Sequence, residues 1–219
     1  MSEINLMSHY PRSKRPLEER AKLIKEEHRA IARKFEKDFF DGDRLYGYGG
    51  YSYHPRFWKD TVKYFRDYYH LPEDASILDV GCGKGFMLHD FKELMPKIKV
   101  FGIDISQYAI DNGLASVKPF LRVGNAKELP YEDKQFDLVV SINTVHNLPL
   151  LECKKSIQEI QRVSKKHAFL VVDAWRDENE RKRMMMWNLT ALTYMHVDDW
   201  KKMFSEIGYS GNYFWFIAE

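Results

Sequence analysis

The sequence has few of the features that mark several classes of protein. Its 219 residues include only two cysteines, Cys82 and Cys153, which lie far apart and form no CxxC pair. Neither a disulfide scaffold nor a thiolate zinc site is therefore expected. No run of about 18 uncharged apolar residues occurs, so we expect no membrane insertion. The N-terminal residues have no apolar stretch of the secretory type, so we expect a cytoplasmic protein.

An excess of charge of either sign is also missing. Lysine and arginine total 34, aspartate and glutamate total 32, and the formal net charge is +2. A protein that binds nucleic acid usually has a basic domain or stripe, because contacts to phosphate dominate its affinity. No such region is visible, so we expect a small-molecule partner and no nucleic acid. The counts carry no information about the oligomeric state.

From residue 75 onward, the apolar pattern alternates between strands and helices. Buried strands are predicted at 76–80, 98–104, 120–123, 136–142 and 168–173, with helices between them. This pattern predicts an α/β, doubly wound, Rossmann-like fold with a mostly parallel sheet of six or seven strands and helices on both faces. About twelve residues follow the last predicted helix, enough for one strand. Residues 190–197 are the other candidate for a strand at that edge.

The N-terminal third differs in pattern from the rest. Residues 1–70 are predicted to form an arm and a helical cap, and residues 71–219 the ligand-binding domain. Residues 1–16 read as irregular, and apolar spacings of three and four predict one helix over 17–40 and another over 55–70. Between these helices lies a segment rich in glycine and tyrosine, with Tyr46, Tyr48, Tyr51 and Tyr53.

The sharpest motif follows the first strand of the predicted sheet, where such folds bind ligands. It reads Leu78-Asp79-Val80-Gly81-Cys82-Gly83-Lys84-Gly85-Phe86. A phosphate-binding P-loop would need glycine at 78 and serine or threonine at 85, so that interpretation fails. A dinucleotide fingerprint would need glycine at 86, so it fails on spacing. What remains is an acid-x-Gly-x-Gly-x-Gly loop.

This loop and three later stretches resemble the class I S-adenosylmethionine-dependent methyltransferases. Asp104 ends the second strand, 23 residues after Gly81. Gly124-Asn125-Ala126 resembles the adenine-binding stretch of the family, which usually reads Gly-Asp-Ala, and Phe136-Asp137-Leu138-Val139 resembles its fourth strand. The resemblance covers roughly residues 70–173 and 198–217.

The resemblance implies S-adenosyl-L-methionine as the cofactor and a role for each matched position. Asp79 would orient the methionine amino group, and Asp104 would hold the ribose hydroxyls. Ile105 would pack on the adenine, whose edge Asn125 and Ala126 would read. The loop residues that would pass beneath the methionine and ribose are Gly81, Cys82, Gly83 and Gly85. Ser141, on the fourth strand, completes the predicted cofactor site.

The stretch after the fourth strand, residues 141–149, would face the transferred methyl group. His146 is its only histidine. A hydroxyl acceptor needs proton removal, which a histidine tuned near neutrality supplies, so we predict His146 as a general base. A packing histidine is the competing interpretation, and His196 is a second candidate. The histidines form no cluster with metal-ligand spacing, so no metal is expected.

Aromatic residues are predicted to close the site. Aromatic faces suit a sulfonium cation, and closure keeps water from an electrophile. Packing of the N-terminal helices is the competing interpretation. The residues assigned to the acceptor and cap are Tyr46, Tyr48, Tyr51, Tyr53, Asn143, Trp187 and His196.

The predicted function is methyl transfer to an oxygen or nitrogen of a soluble small molecule, such as a sugar, an amino-acid derivative or another metabolite. One alternative is a non-catalytic S-adenosylmethionine-binding regulatory or adaptor protein. The other is an RNA or DNA methyltransferase, because Asn147-Leu148-Pro149-Leu150 resembles the Asn-Leu-Pro-aromatic stretch used on nucleobase amines. That stretch lacks the aromatic residue here.

Overall fold

The computed structural model describes residues 1–11, 16–49 and 51–219. Parts of two sequence predictions lie outside these residues. They are positions 12–15 of the N-terminal arm and Gly50 of the segment rich in glycine and tyrosine.

A central parallel sheet organises the described parts of the chain. Its strands are β1 (Ser2–Glu3), β2 (Ser76–Val80), β3 (Lys99–Asp104), β4 (Leu121–Val123), β5 (Phe136–Ile142), β6 (Ser164–Trp175), β7 (Met195–His196) and β8 (Asn212–Phe216). The order is β1-β8-β6-β5-β2-β3-β4, and β7 pairs with β6. The strand pairings are all parallel. The predicted Rossmann-like sheet is confirmed.

The edge of the sheet differs in detail from the expectation of six or seven strands. Two strands of two residues each raise the number in the described residues to eight. The strand β7 lies within 190–197, as proposed. Residues 1–16 are not irregular throughout, because Ser2 and Glu3 pair in parallel with Asn212 and Tyr213. That partner lies at the other end of the sequence, so no local pattern could reveal it.

Helices cover both faces of the sheet, as predicted. They are α4 (Lys59–Tyr69), α5 (Phe86–Leu94), α6 (Gln107–Asp111), α7 (Leu150–Val163), α8 (Glu178–Trp187) and α9 (Val197–Glu206), with 3₁₀ turns at Lys118–Phe120 and Val145–Asn147. Ile160 and Trp200 are buried in one apolar core, and Phe65 and Phe91 in another. Because Phe65 lies on α4, that helix packs with the sheet. The boundary at residue 70 stays a prediction.

The N-terminal cap consists of three short helices instead of the single helix predicted over 17–40. They are α1 (Leu17–Leu23), α2 (Glu26–Ala32) and α3 (Lys37–Asp41). Ile24 is extended, and Phe35 adopts a left-handed conformation with φ of 52°. Ala32, Phe39 and Phe40 are buried in one satellite core. The chain therefore turns twice so that apolar residues from successive segments face the same core.

No helix in the described ranges combines the length and apolar character needed to cross a membrane.

Candidate functional site

A cavity of about 1040 Å³ lies between the cap and the carboxyl ends of the central strands. Strand β2 lies between β3 and β5 in the sheet, so chain connections leave it in opposite directions. This switch point is where doubly wound sheets bind ligands. Single ligand sites usually have volumes of about 300–1,000 Å³. The cavity therefore has room for two small ligands side by side.

The glycine loop forms the floor of this cavity. The N–H groups of Gly81 and Cys82 donate to the Ile103 carbonyl at 2.7 and 3.1 Å, which ties the loop to β3. Gly81 has φ of 87°, and a Cβ there would collide with the Thr144 side chain. A Cβ on Gly83 would meet only Phe40, at 3.5 Å. The loop backbone at Gly83 thus faces the cavity and is open to a ligand.

Two predicted cofactor residues do not line the cavity. Gly85 has φ of 77° and caps the N-terminus of α5. A Cβ there would lie 2.9 Å from Val117, so glycine at this position serves helix packing. Ser141 lies inside β5 with no exposed surface. Its Oγ is buried and has no hydrogen-bond partner among the described residues, and its assignment to the cofactor site stays a prediction.

Two buried carboxyl groups lie beside the glycine loop. Asp79 and Asp104 are 6% and 9% exposed. Asp104 accepts hydrogen bonds from the N–H groups of Gly83 at 2.8 Å and Ser106 at 2.9 Å. Burial, followed by repulsion from Asp104, raises the pKa of Asp79 to about 8. Burial also raises the pKa of Asp104, against the lowering effect of its backbone hydrogen bonds. This pair favours a ligand that brings positive charge and hydroxyl donors.

The residues predicted to bind adenine form the adjoining wall. Ile105, Asn125 and Ala126 all line the cavity. Ile105 is 52% exposed, although it is a large apolar side chain. The Asn125 Oδ1 accepts from the N–H of Lys127 at 3.1 Å, which leaves the amide nitrogen available as a donor. This wall therefore combines an apolar face with a hydrogen-bonding edge, as an aromatic base requires.

His146 lines the cavity, but its environment differs from the one predicted. The ring is 3% exposed, and Nδ1 accepts a hydrogen bond from the N–H of Asp173 at 2.9 Å. Burial lowers the pKa of His146 to about 3. The neutral ring must then carry its proton on Nε2, where it can donate. The expectation of a histidine tuned near neutrality is therefore not met.

His196 does not line the cavity, which corrects its assignment to the acceptor site. Its Nδ1 accepts from the N–H of Asp198 at 3.2 Å and caps the N-terminus of α9. Its Nε2 lies 2.9 Å from the carbonyl oxygen of Arg176. Both ring nitrogens thus have structural partners. Asn143, by contrast, lines the cavity and has a left-handed backbone, with φ of 54°.

The aromatic cap contributes some of its predicted residues to the cavity. Tyr48, Tyr51 and Trp187 line it, and the rings of Tyr48 and Trp187 stack with centroids 5.1 Å apart. Tyr46 and Tyr53 do not line it. Tyr46 packs on His28 of α2, whereas the Tyr53 hydroxyl donates to Asp90 of α5 at 2.7 Å. Tyr46 and Tyr53 thus hold the two ends of the segment rich in glycine and tyrosine. This corrects their assignment to the acceptor and cap residues.

An ion pair fastens the cap to the glycine loop. The Lys84 Nζ lies 2.6 and 2.7 Å from the two carboxylate oxygens of Asp41, at the end of α3. Lys84 also donates to the carbonyl of Tyr51 at 3.1 Å, and Tyr108 of α6 donates to Asp41 at 2.7 Å. The cap position is therefore coupled directly to the loop predicted to hold the cofactor.

Sequence reasoning missed several residues that line the cavity. Asp173 lies at the carboxyl-terminal part of β6, beside His146, and is 4% exposed. Acids at the ends of neighbouring parallel strands were a signal for it, as they were for Asp79 and Asp104. The cap also contributes Arg33 and Arg44. No periodic pattern marks those two arginines, because Arg33 lies at the end of α2 and Arg44 follows α3.

No group of three or more histidine, cysteine or carboxylate side chains suited to a metal ion occurs within 1–11, 16–49 and 51–219. A reactive role for the Cys82 thiol in the glycine loop is also disfavoured. Burial, together with the nearby carboxylates, raises the pKa of Cys82 well above its usual value. Thiols in such surroundings stay protonated and inert.

Comparison with known proteins agrees with this geometry. A profile described as a methyltransferase domain matches residues 71–208. The chain therefore belongs to the methyltransferase domain family, which is of the class I type and uses S-adenosylmethionine.

Individual relatives match over shorter stretches. A tRNA (carboxymethyluridine(34)-5-O)-methyltransferase of Arabidopsis thaliana is 33% identical over 131 residues, covering 59% of this chain and 31% of that protein. An ajmaline N-methyltransferase of Rauvolfia serpentina is 36% identical over 103 residues, covering 44% and 35%. The chain thus spans about a third of the length of these relatives. The YcgJ protein of Bacillus subtilis has the same fold, with a TM-score of 0.55, 17% identity and coverage of 67% and 66%.

The described residues fit S-adenosylmethionine. Asp104 has lone pairs free for ribose hydroxyls beyond the two that its backbone donors use. The ammonium group of a bound ligand would compensate for the free-energy cost of burying the charged Asp79 carboxylate. The open backbone at Gly83 allows close approach of the ligand, and the exposed Ile105 offers an apolar face for adenine.

Proposed function

We propose that this protein transfers a methyl group from S-adenosylmethionine to an oxygen or nitrogen of a soluble small molecule. One observation carries the proposal: the buried pair Asp79 and Asp104 shares a single cavity with an aromatic cap. The pair suits the cofactor, and the space under the cap suits an enclosed acceptor. The volume of the cavity accommodates both.

When bound, S-adenosylmethionine supplies an electrophilic methyl group. The protein's part is to hold and enclose the reactants, and positioning of this kind can supply most of the rate enhancement in a direct displacement. Asp79 and Asp104, beside the glycine loop at the floor of the cavity, bind and orient the cofactor. The stacked rings of Tyr48 and Trp187 and the ring of Tyr51 exclude water from above and present π faces to positive charge.

His146 has a positioning role in this proposal, instead of the general-base role predicted from the sequence. A base would have to accept a proton on Nε2, the nitrogen that already carries one when Nδ1 accepts from the Asp173 N–H. The Nε2–H group can instead donate to a lone pair of the acceptor and aim it. An acceptor that needs no proton removal, such as a neutral amine or an ionised oxygen, fits this arrangement best.

The relatives support both kinds of acceptor atom. The name of the Rauvolfia enzyme specifies N-methylation of ajmaline, and that of the Arabidopsis enzyme specifies O-methylation on a tRNA. The near-neutral charge of this chain favours the small molecule, and the position of the cavity beneath the aromatic cap does so too.

The test is formation of S-adenosylhomocysteine from S-adenosylmethionine by the purified protein. Pools of small amines, hydroxy compounds and carboxylic acids are assayed beside total tRNA, at a cofactor concentration near the wild-type dissociation constant. Asp104→Ala, whose cofactor affinity should be weaker, is the control. Turnover with a small-molecule pool, reduced in the control, is the expected result. Turnover with tRNA alone would overturn the acceptor class. Cofactor binding without turnover on any pool would favour the regulatory or adaptor alternative.

A further inference from the structure

We propose that the methyl acceptor carries a carboxylate or phosphate group and that Arg33 and Arg44 of the cap bind this group. The proposal names a substrate class for the function proposed above and rests on that function. It starts from a local cluster of arginine side chains in the cap.

Arginines are concentrated around the Tyr48 wall of the cavity. Arg20 donates to the carbonyls of Arg44 and Gly47 at 3.2 and 3.3 Å, and its guanidinium carbon lies 5.4 Å from the centre of the Tyr48 ring. Arg29 and Arg33 project from the end of α2, where both contact the carboxylate of one residue, Glu26, at 3.7 and 2.7 Å. Within the described residues, the only carboxylate ion-paired with this cluster is therefore that of Glu26. The cluster has four guanidinium groups, those of Arg20, Arg29, Arg33 and Arg44.

This clustering carries an electrostatic cost. The pKa of Arg20 is lowered, first by burial and then by the like charges of Arg44 and Arg29, against an opposing effect of Tyr48. Like charges that are held close together disfavour one another most where solvent is excluded. A bound anion would remove this cost. The arrangement is therefore typical of an anion-binding site.

Two members of the cluster reach the cavity itself. Arg33 and Arg44 line it. The Arg44 guanidinium lies against the backbone of Gly49, where Nη1 would be 2.8 Å from an added Cβ, and no ion pair joins it to a described acid. The Arg33 Nε is buried without a hydrogen-bond partner in the same part of the chain. An anion bound in the cavity could accept hydrogen bonds from the terminal nitrogens of either guanidinium group.

Arg33 is itself paired, with a carboxylate, Glu26, that is 72% exposed. The other cations of the cavity are engaged or lie elsewhere. Lys84 is paired with Asp41, and Arg176 lies 3.4 Å from Glu3. Arg56 is stacked on the ring of Phe57 at 4.8 Å. The acids Asp173 and Glu219 also line the cavity. Positive charge at the cap and negative charge at the end of β6 would orient an anionic acceptor in one direction.

The experiment measures binding of matched probes to the full chain saturated with S-adenosylhomocysteine. Benzoate, phenyl phosphate and neutral benzamide have the same ring, which suits the aromatic walls, and differ in charge. Calorimetry or ligand-observed NMR gives the dissociation constants. We expect at least one anion to bind about tenfold or more tightly than benzamide. The preferred anion tells carboxylate from phosphate. Arg44→Gln should abolish the preference, and Arg44→Lys should retain part of it.

The outcomes separate this inference from the proposed function. Equal binding of all three probes, or an anion preference that survives in both Arg44→Gln and Arg33→Gln, would overturn the anion site. A tenfold loss of S-adenosylhomocysteine affinity in Arg44→Gln would overturn it too, because Arg44 would then bind the cofactor's carboxylate. Failure of the wild-type protein to bind S-adenosylhomocysteine would contradict the proposed function itself. Arg181→Gln, on the exposed surface of α8, is the matched control.

Discussion

Burial of His146 makes the stability of the fold depend on pH in the acid range. The folded-state pKa is about 3, whereas an unfolded histidine titrates near 6.5. Because the folded pKa is the lower one, this contribution to stability is complete above about pH 6.5 and is lost as the pH falls towards 3. At about 1.36 kcal/mol per pH unit below pH 6.5, the loss between pH 7.5 and 4.5 is about 2–3 kcal/mol.

The variant His146→Asn isolates this effect. Its Oδ1 occupies the place of Nδ1 and can still accept from the Asp173 N–H, but the side chain no longer titrates. The free energy of unfolding is measured by urea titration at pH 7.5 and pH 4.5. Wild type should lose about 2–3 kcal/mol more than the variant over this interval. His70→Asn is the control, since His70 is exposed and its φ of 47° suits asparagine.

Equal losses in wild type and His146→Asn would refute the conclusion that the ring is buried in its neutral form, and would restore the general-base role. Kinetics gives an independent reading once an acceptor is known. A positioning residue predicts that His146→Asn lowers turnover by the same factor at pH 7 and pH 9. A base predicts partial recovery at the higher pH, where a hydroxyl acceptor ionises unaided.

Three further perturbations test the rest of the site. Asp104→Ala removes a charged acceptor, so S-adenosylhomocysteine should bind about 10- to 150-fold more weakly by calorimetry, and an unchanged affinity in the folded variant would place the ribose elsewhere. Gly81→Ala adds a collision to a left-handed backbone, so urea unfolding should show a larger loss than the roughly 1 kcal/mol expected for Gly208→Ala, where φ is 71° and the space is open. Asp41→Asn breaks the ion pair with Lys84, so limited proteolysis should cleave the cap faster than in wild type, and equal rates would show that the pair does not hold the cap.

The centre of the fold was predictable, and residues of the cofactor site could be proposed, because their signals are local. An apolar strand, a glycine turn and a helix follow one another within about twenty residues, and acids at strand ends converge in a parallel sheet. The resemblance of four motifs to a known family added the identity of the ligand. Asp79, Gly81, Gly83 and Asp104 were therefore placed without knowledge of tertiary contacts.

The cap was less predictable because its signals depend on packing between distant segments. Helical spacing continues through the turns at Ile24 and Phe35, and only the shared core requires those breaks. The tyrosines were grouped by composition, yet Tyr46 and Tyr53 face outward from the cavity because each side of the segment packs on a different helix. Function at His146 was predicted from its position, but its protonation depends on burial that no sequence pattern shows.

Strand β1 gives the cap an anchor that a free N-terminal arm would not have. The Asn212 amide donates to the Ser2 hydroxyl at 2.6 Å, across 210 positions of sequence, and α4 holds the other end of the cap against the sheet. The segment between β1 and α4 is thus attached to the sheet at both ends. Opening of the cap to admit a substrate would then require bending within this segment, most readily at the turns between its short helices.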